Sequence, residues 1–165
     1  MLEHRKGNAV PSGESDSARC HPGPERSRAG CTRPRILLVE DDDLSARMMA
    51  KLLEDEQFEC RYATDYRSAL RTASEWIPDF LVCDIDLQSR RDGCDVLRSM
   101  RTAYQTIQGI SVSGLEFGEA RARSEQGGFA LHLSKPIDAA RLISSLRSLM
   151  LSPPRASGRS PAASE

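Results

Sequence analysis

Short apolar runs alternating with amphipathic segments predict an α/β fold: a five-stranded parallel sheet, doubly wound, with helices on both faces. Two further observations point the same way. The runs Ile36-Leu37-Leu38-Val39 and Phe80-Leu81-Val82-Cys83 are apolar at every position rather than at alternate ones, as in strands buried on both faces. The whole alternation fits between residues 35 and 151, the size of one ordinary domain.

Arg35–Val39 is the first strand and ends in acids. Leu44 to Leu53 follows as a helix, with Leu44, Met48, Met49, Leu52 and Leu53 at helical spacing and Asp42 or Asp43 as cap. Cys60–Ala63 is a second strand, and Asp65 to Ser74 a second helix that turns Ala69 and Leu70 inward. Phe80–Cys83 is a buried strand stopping at Asp84, and Asp95 to Arg101 a helix after the Asp92-Gly93 turn. Ile110–Val112 is a strand ending at Ser113-Gly114. Glu116 to Gln126 is a weaker helix, interrupted by Gly118 and closed by Gly127-Gly128. Phe129–Leu133 is the last strand, and Ile137–Met150 a closing helix with Leu142, Ile143, Leu146 and Met150 on one face.

Composition sets the limits of this domain within the 165 residues. Residues 1–34 and 152–165 carry seven of the nine prolines and none of the eight aromatics. Such segments cannot bury enough apolar area to offset a chain entropy of ~1–2 kcal/mol per residue, so both are predicted to be disordered tails. The core 35–151 holds 15 Arg and Lys against 19 Asp and Glu, a net charge of −4 within a chain of net −1. An acidic core suits a protein that gathers a cation, and the overall balance argues against direct nucleic-acid binding through bulk charge. No apolar stretch approaches the ~18 residues of a membrane span, and the first thirty residues lack a secretory core, so a cytoplasmic protein without membrane contact is expected. Cys20, Cys31, Cys60, Cys83 and Cys94 are odd in number and show no CxxC spacing, which speaks against a disulfide framework or zinc site.

Open parallel sheets bind ligands at the carboxyl ends of their strands. The residues expected there are Glu40 and Asp41 after the first strand, Asp84 after the third, Ser113 after the fourth, and Lys135-Pro136 after the fifth. Two carboxylates about 5 Å apart repel by roughly 3 kcal/mol at an effective dielectric near 20, so three of them on one edge call for a counterion.

From about Arg35 to Met150 the chain resembles a response-regulator receiver domain of two-component signalling, of the chemotaxis-regulator-like kind. The resemblance rests on Ile36-Leu37-Leu38-Val39-Glu40-Asp41-Asp42, Leu81-Val82-Cys83-Asp84-Ile85-Asp86-Leu87, Asp92-Gly93, Ser113-Gly114 and Lys135-Pro136, in order and at near-family spacing. It implies the flavodoxin-like receiver fold and a role for each matched position. Asp84 would accept a phosphoryl group from a phosphohistidine. Asp41, helped by Glu40, would hold a divalent cation with Asp84 and the Asp86 backbone carbonyl. Ser113 and Lys135 would each engage a phosphoryl oxygen. Mg²⁺ is the implied cofactor, since it takes few carboxylates and keeps its waters, and phosphoryl transfer depends mainly on positioning and charge neutralisation. In the family the Lys-Pro bond is typically cis, and Pro136 permits this. The implied partners are a sensor histidine kinase or a histidine phosphotransfer protein, together with a downstream effector protein. Because the 14 residues after Leu151 are too few to fold, a stand-alone receiver signalling by protein–protein contact is expected, with no enzymatic turnover of an external substrate.

The chain also departs from the family. Gln88 replaces the usual proline four residues after the acceptor, and the loop Gln88-Ser89-Arg90-Arg91 carries one extra residue before Asp92-Gly93, a length that resembles receivers serving hybrid sensor kinases. Asp86 adds a carboxylate at a position that influences acyl-phosphate lifetime in the family. The switch aromatic on the last strand is replaced by His132, which either swings inward behind Ser113 or sits at the surface. Arg121 and Arg123, with Phe117 nearby, are either a partner surface or a solvated helix face, the commoner use of such residues. Two rival functions stand beside the resemblance. One is a degenerate receiver that binds partners without phosphorylation. The other is a haloacid-dehalogenase-type phosphatase built on Asp84-Ile85-Asp86, although that motif normally sits on a chain's first strand.

Overall fold

The computed structural model of the chain describes residues 33–88, 91–114 and 117–152, without the side chains of Phe117 and Ala120. The predicted disorder of residues 1–32 and 153–165, and the loop residues Ser89 and Arg90, fall outside this range. The described elements alternate in the expected order: β1 Arg35–Val39, α1 Asp43–Asp55, β2 Glu59–Ala63, α2 Tyr66–Glu75, β3 Phe80–Asp84, α3 Gly93–Ala103, β4 Gln108–Ser113, α4 Phe117–Gly127, β5 Leu131–Ser134 and α5 Ala139–Leu151. All strand pairs are parallel, and the order is β2-β1-β3-β4-β5.

Strand periodicity sorts the core into two layers. Leu37, Val39, Leu81 and Cys83 face Ala69, Ala73, Val96, Leu97 and Met100 of α2 and α3. Ile36, Leu38, Val82, Ile110, Val112 and Leu133 face Ala46, Ala50 and Leu53 of α1 and Leu142 and Leu146 of α5. A sheet covered on both sides explains why Ile36–Val39 of β1 and Phe80–Cys83 of β3 are apolar at every position. Four helices begin at an aspartate cap: Asp42, Asp65, Asp92 and Asp138 each accept a hydrogen bond from a backbone N–H of the first turn.

The structure corrects three local expectations. Helix α1 does not bury Leu44 and Met48, which are 67% and 66% exposed; its inner stripe is Ala46, Ala50 and Leu53. The small alanines let α1 approach the sheet closely, and the larger apolar side chains flank that contact. Phe129 is not part of the last strand. Its N–H donates to the Ser124 carbonyl at 3.0 Å, and Ala130 donates to Gly109, so the chain still closes α4 there and pairs only from Leu131. Gly128, at φ 84°, supplies the left-handed turn. At the other end, the Glu59 N–H donates to the Pro34 carbonyl at 2.9 Å, so sheet bonding reaches one residue into the predicted tail.

Candidate functional site

The strand order reverses between β1 and β3, which opens a crevice at their carboxyl ends. Glu40 and Asp41 follow β1 directly, and Asp84 is the last residue of β3. These three carboxylates offer oxygens that all lie within 4.8 Å of one another. Asp84 and Glu40 are buried, at 6% and 7% exposed, while Asp41 is half-buried. Lys135 reaches in from beyond β5. Its Nζ donates to Asp84 Oδ2 at 2.6 Å and stands 2.8 Å from Glu40 Oε2. The Lys135–Pro136 peptide bond is cis.

This lysine meets the need for a counterion that the acidic edge creates. Burial pulls the Lys135 ammonium down, but its hydrogen bonds to Asp84 and Glu40 and their charges outweigh that and hold its pKa above the ordinary value. Burial pushes the Glu40 carboxyl up, and the charges of Asp84 and Asp41 add to the rise while Lys135 opposes it. One ammonium thus serves two carboxylates, and with Asp41 beside them the pocket keeps an excess of negative charge. The Asp41 carboxylate accepts the Gln88 N–H at 3.3 Å, so Gln88, at the family's proline position, places a donor there that a proline could not supply.

Asp86 and Ser113 form the far wall. The Asp86 backbone N–H donates to Asp84 Oδ1 at 2.8 Å. Ser113 donates its hydroxyl proton to Asp86 Oδ2 at 2.7 Å, and Arg123 of α4 donates to Asp86 Oδ1 at 2.8 Å and to Asp92 Oδ2 at 3.3 Å. Gly93 lets α3 start hard against this wall: a Cβ there would run into the Asp84 carbonyl oxygen and meet Cys83 Sγ at 2.9 Å. Cys83 is fully buried, as expected of a small apolar residue, and burial pushes its thiol well up.

Comparison with known sequences decides the family. The response regulator receiver domain matches residues 36–147. The chain belongs to the response-regulator receiver family. Its relatives include the transcriptional regulatory protein PrrA of Mycobacterium bovis, 30% identical over 121 residues covering 73% of this chain and 52% of PrrA. The polar-differentiation response regulator DivK of Brucella anthropi is 27% identical over 117 residues, covering 70% of this chain and 94% of DivK. The receiver domain of NtrX from Brucella abortus aligns at 32% identity with a TM-score of 0.64, covering 71% of this chain and 99% of that structure. The chain therefore spans about half the length of the PrrA relatives, 52%. No helix of the described residues is long and apolar enough to cross a membrane.

In this receiver domain the donor set fits a hard divalent cation, because Glu40, Asp41 and Asp84 offer only carboxylate oxygens in a pocket that Asp41 keeps open to solvent. Glu40, Asp41, Asp84 and Lys135 come together as the sequence expected, with Ser113 on the neighbouring strand end. His132 does turn inward, but behind Ser111 rather than Ser113. Its Nδ1 lies 3.0 Å from Ser111 Oγ, which shares a 2.6 Å hydrogen bond with Ser124 Oγ of α4. The register explains this, since Ser111 pairs with His132 across the sheet and Ser113 pairs with Ser134. Arg123, Asp92, Ser111 and Ser124 were not read as site neighbours from the sequence. Ser111 had a signal, because it shares the strand face of Ser113 at period two. Arg123 and Asp92 had none, since what joins them is the placement of α4 over the α3 start.

Proposed function

We propose that this receiver domain accepts a phosphoryl group on Asp84 from a phosphohistidine of a sensor histidine kinase or histidine phosphotransfer protein, and passes the signal to a downstream effector by changed protein contacts. The observation that carries this reading is the Lys135 ammonium 2.6 Å from Asp84 Oδ2, inside a pocket walled by two further carboxylates. An Asp84 oxygen would attack phosphorus, the P–N bond to the donor imidazole would break, and its electron pair would return to the ring nitrogen. Glu40, Asp41, Asp84 and the Asp86 backbone carbonyl would hold Mg²⁺, which when bound supplies charge neutralisation for the phosphoryl oxygens. Lys135 would exchange part of its contact with Asp84 and Glu40 for a phosphoryl oxygen, and Ser113 would donate its hydroxyl proton to another. The Asp86 N–H on Asp84 Oδ1 orients the carboxylate so that Oδ2, on the lysine side, is the oxygen offered to the pocket.

Intact-mass spectrometry after incubation with acetyl phosphate tests this directly. Wild type should gain one phosphoryl group only when Mg²⁺ is present, and Asp84→Ala should gain none. An adduct of equal yield on Asp84→Ala would place the acceptor elsewhere, and the absence of any adduct from acetyl phosphate or a phosphohistidine donor would leave the chain a phosphorylation-independent binding module.

A further inference from the structure

We propose that Arg123 latches helix α4 to the unphosphorylated pocket through Asp86, and that a phosphoryl group on Asp84 opens this latch by drawing the Ser113 proton away from Asp86. The proposal rests on Asp84 being the acceptor and names what the phosphoryl group would change.

Among the described side chains of α4 only Ser124 is buried. The described side chains tie it down by hydrogen bonds: Ser124 to Ser111 at 2.6 Å, and Arg123 to Asp86 at 2.8 Å and Asp92 at 3.3 Å. Asp86 is the hinge of the second tie. One of its carboxylate oxygens accepts from Ser113 and the other from Arg123, while its backbone N–H is fixed to Asp84 Oδ1. The chain Asp84–Asp86–Arg123 therefore runs from the acceptor to α4 without an apolar contact in between.

Ser113 carries one hydroxyl proton, now donated to Asp86 at 2.7 Å. A phosphoryl group on Asp84 brings three strong acceptor oxygens and turns a carboxylate of one negative charge into an acyl phosphate of roughly two. Those oxygens outcompete the Asp86 carboxylate for the Ser113 proton and repel that carboxylate as a like charge. Asp86 then loses the contact that orients it toward α4. The remaining Arg123 pair, with both side chains about a third exposed at 35% and 36%, is of the kind that holds little by itself. Arg123 is thus a positioning residue: it touches neither the phosphoryl group nor the cation ligands' oxygens, and it reports their state to α4.

Hydrogen–deuterium exchange of the α4 amides reads the latch. In unphosphorylated protein, Arg123→Ala should speed α4 exchange by about 5- to 10-fold, as expected for losing one or two half-exposed ion pairs, while α3 and β1 stay at wild-type rates. Arg123→Lys, which keeps the charge but not the two-pronged reach, should fall between the two. Wild type phosphorylated with acetyl phosphate and Mg²⁺ should exchange at the Arg123→Ala rate. Unchanged α4 exchange in unphosphorylated Arg123→Ala would overturn the latch, and unchanged exchange in wild type that carries the phosphoryl group would overturn its opening. Absence of the adduct by mass would refute the acceptor reading itself, and the Arg123→Ala measurement, which needs no phosphoryl group, would still decide whether Arg123 holds α4.

Discussion

Helices α3 and α4 are neighbours at the same end of the sheet, and opposite chemistries hold them there. Helix α3 buries Gly93, Cys94, Val96, Leu97 and Met100 in one continuous apolar layer with β1 and β3. Helix α4 buries a single described side chain, Ser124, and its described ties are the hydrogen bonds of Arg123 and Ser124. Apolar burial is non-directional and indifferent to charge, so α3 keeps its place whatever the pocket contains. Hydrogen bonds and ion pairs are directional, and those of α4 end on Asp86 and on the strand that carries Ser113, where a change of charge at Asp84 is felt first. One helix packs beneath the pocket, and the described ties of the other end at the pocket's wall.

Substitutions on the two helices should therefore differ in size and in kind. Leu97→Ala, which empties a fully buried site on α3, should cost about 2–5 kcal/mol in denaturant unfolding. Gly93→Ala should cost about 1–3 kcal/mol by overpacking, because the added Cβ meets backbone at the Asp84 carbonyl rather than a flexible side chain. It should also slow adduct formation at Asp84, since the clash displaces the acceptor's own peptide. Ser124→Ala should cost only about 1 kcal/mol, the net worth of one hydrogen bond, and should show mainly as faster amide exchange within α4. If Ser124→Ala unfolded the domain as severely as Leu97→Ala, the contrast between the helices would be wrong.

The same contrast separates what was legible in the sequence from what was not. Runs such as Ile36–Val39 and Phe80–Cys83 declare strands because burial on both faces forbids polar residues, and the acids and lysine after them declare the pocket because strand ends converge there. The inner stripe of α1 is hidden in the sequence, since Leu44 and Met48 are larger and more apolar than Ala46 and Ala50, yet close packing against a sheet favours the small residues. Polar anchors were harder still. Ser111, Ser124 and Arg123 are ordinary residues at ordinary spacings, and only register and helix placement bring them to His132 and Asp86. Period-two reasoning reaches Ser111 from Ser113; nothing local reaches Arg123.

The smallest expected effect is the dependence of the α4 anchor on pH through His132. Its Nδ1 meets Ser111 at 3.0 Å, its Nε2 is buried without a hydrogen-bond partner among the described residues, and Arg121 and Arg141 stand close enough to act on it electrostatically. Burial lowers the His132 pKa below its ordinary value, and the positive charges of Arg121 and Arg141 lower it further. The ring is therefore neutral in the folded protein at a pH where the unfolded chain has begun to protonate it. Over that interval the unfolded state binds more protons, so the contribution of His132 is fully present above about pH 6.5 and is lost as pH falls through the folded value. His132→Phe keeps an aromatic ring on β5 and removes the titration. Unfolding free energies measured from pH 7.5 downward should fall more steeply for wild type than for His132→Phe below about pH 6.5, and run parallel above it. Glu40 moves the opposite way, since its raised carboxyl pKa favours the folded state on acidification, but it is common to both proteins and cancels in their difference. Parallel curves throughout would mean that the ring binds its proton equally in the folded and unfolded chain, so that the Ser111–Ser124 tie of α4 does not depend on His132 titration.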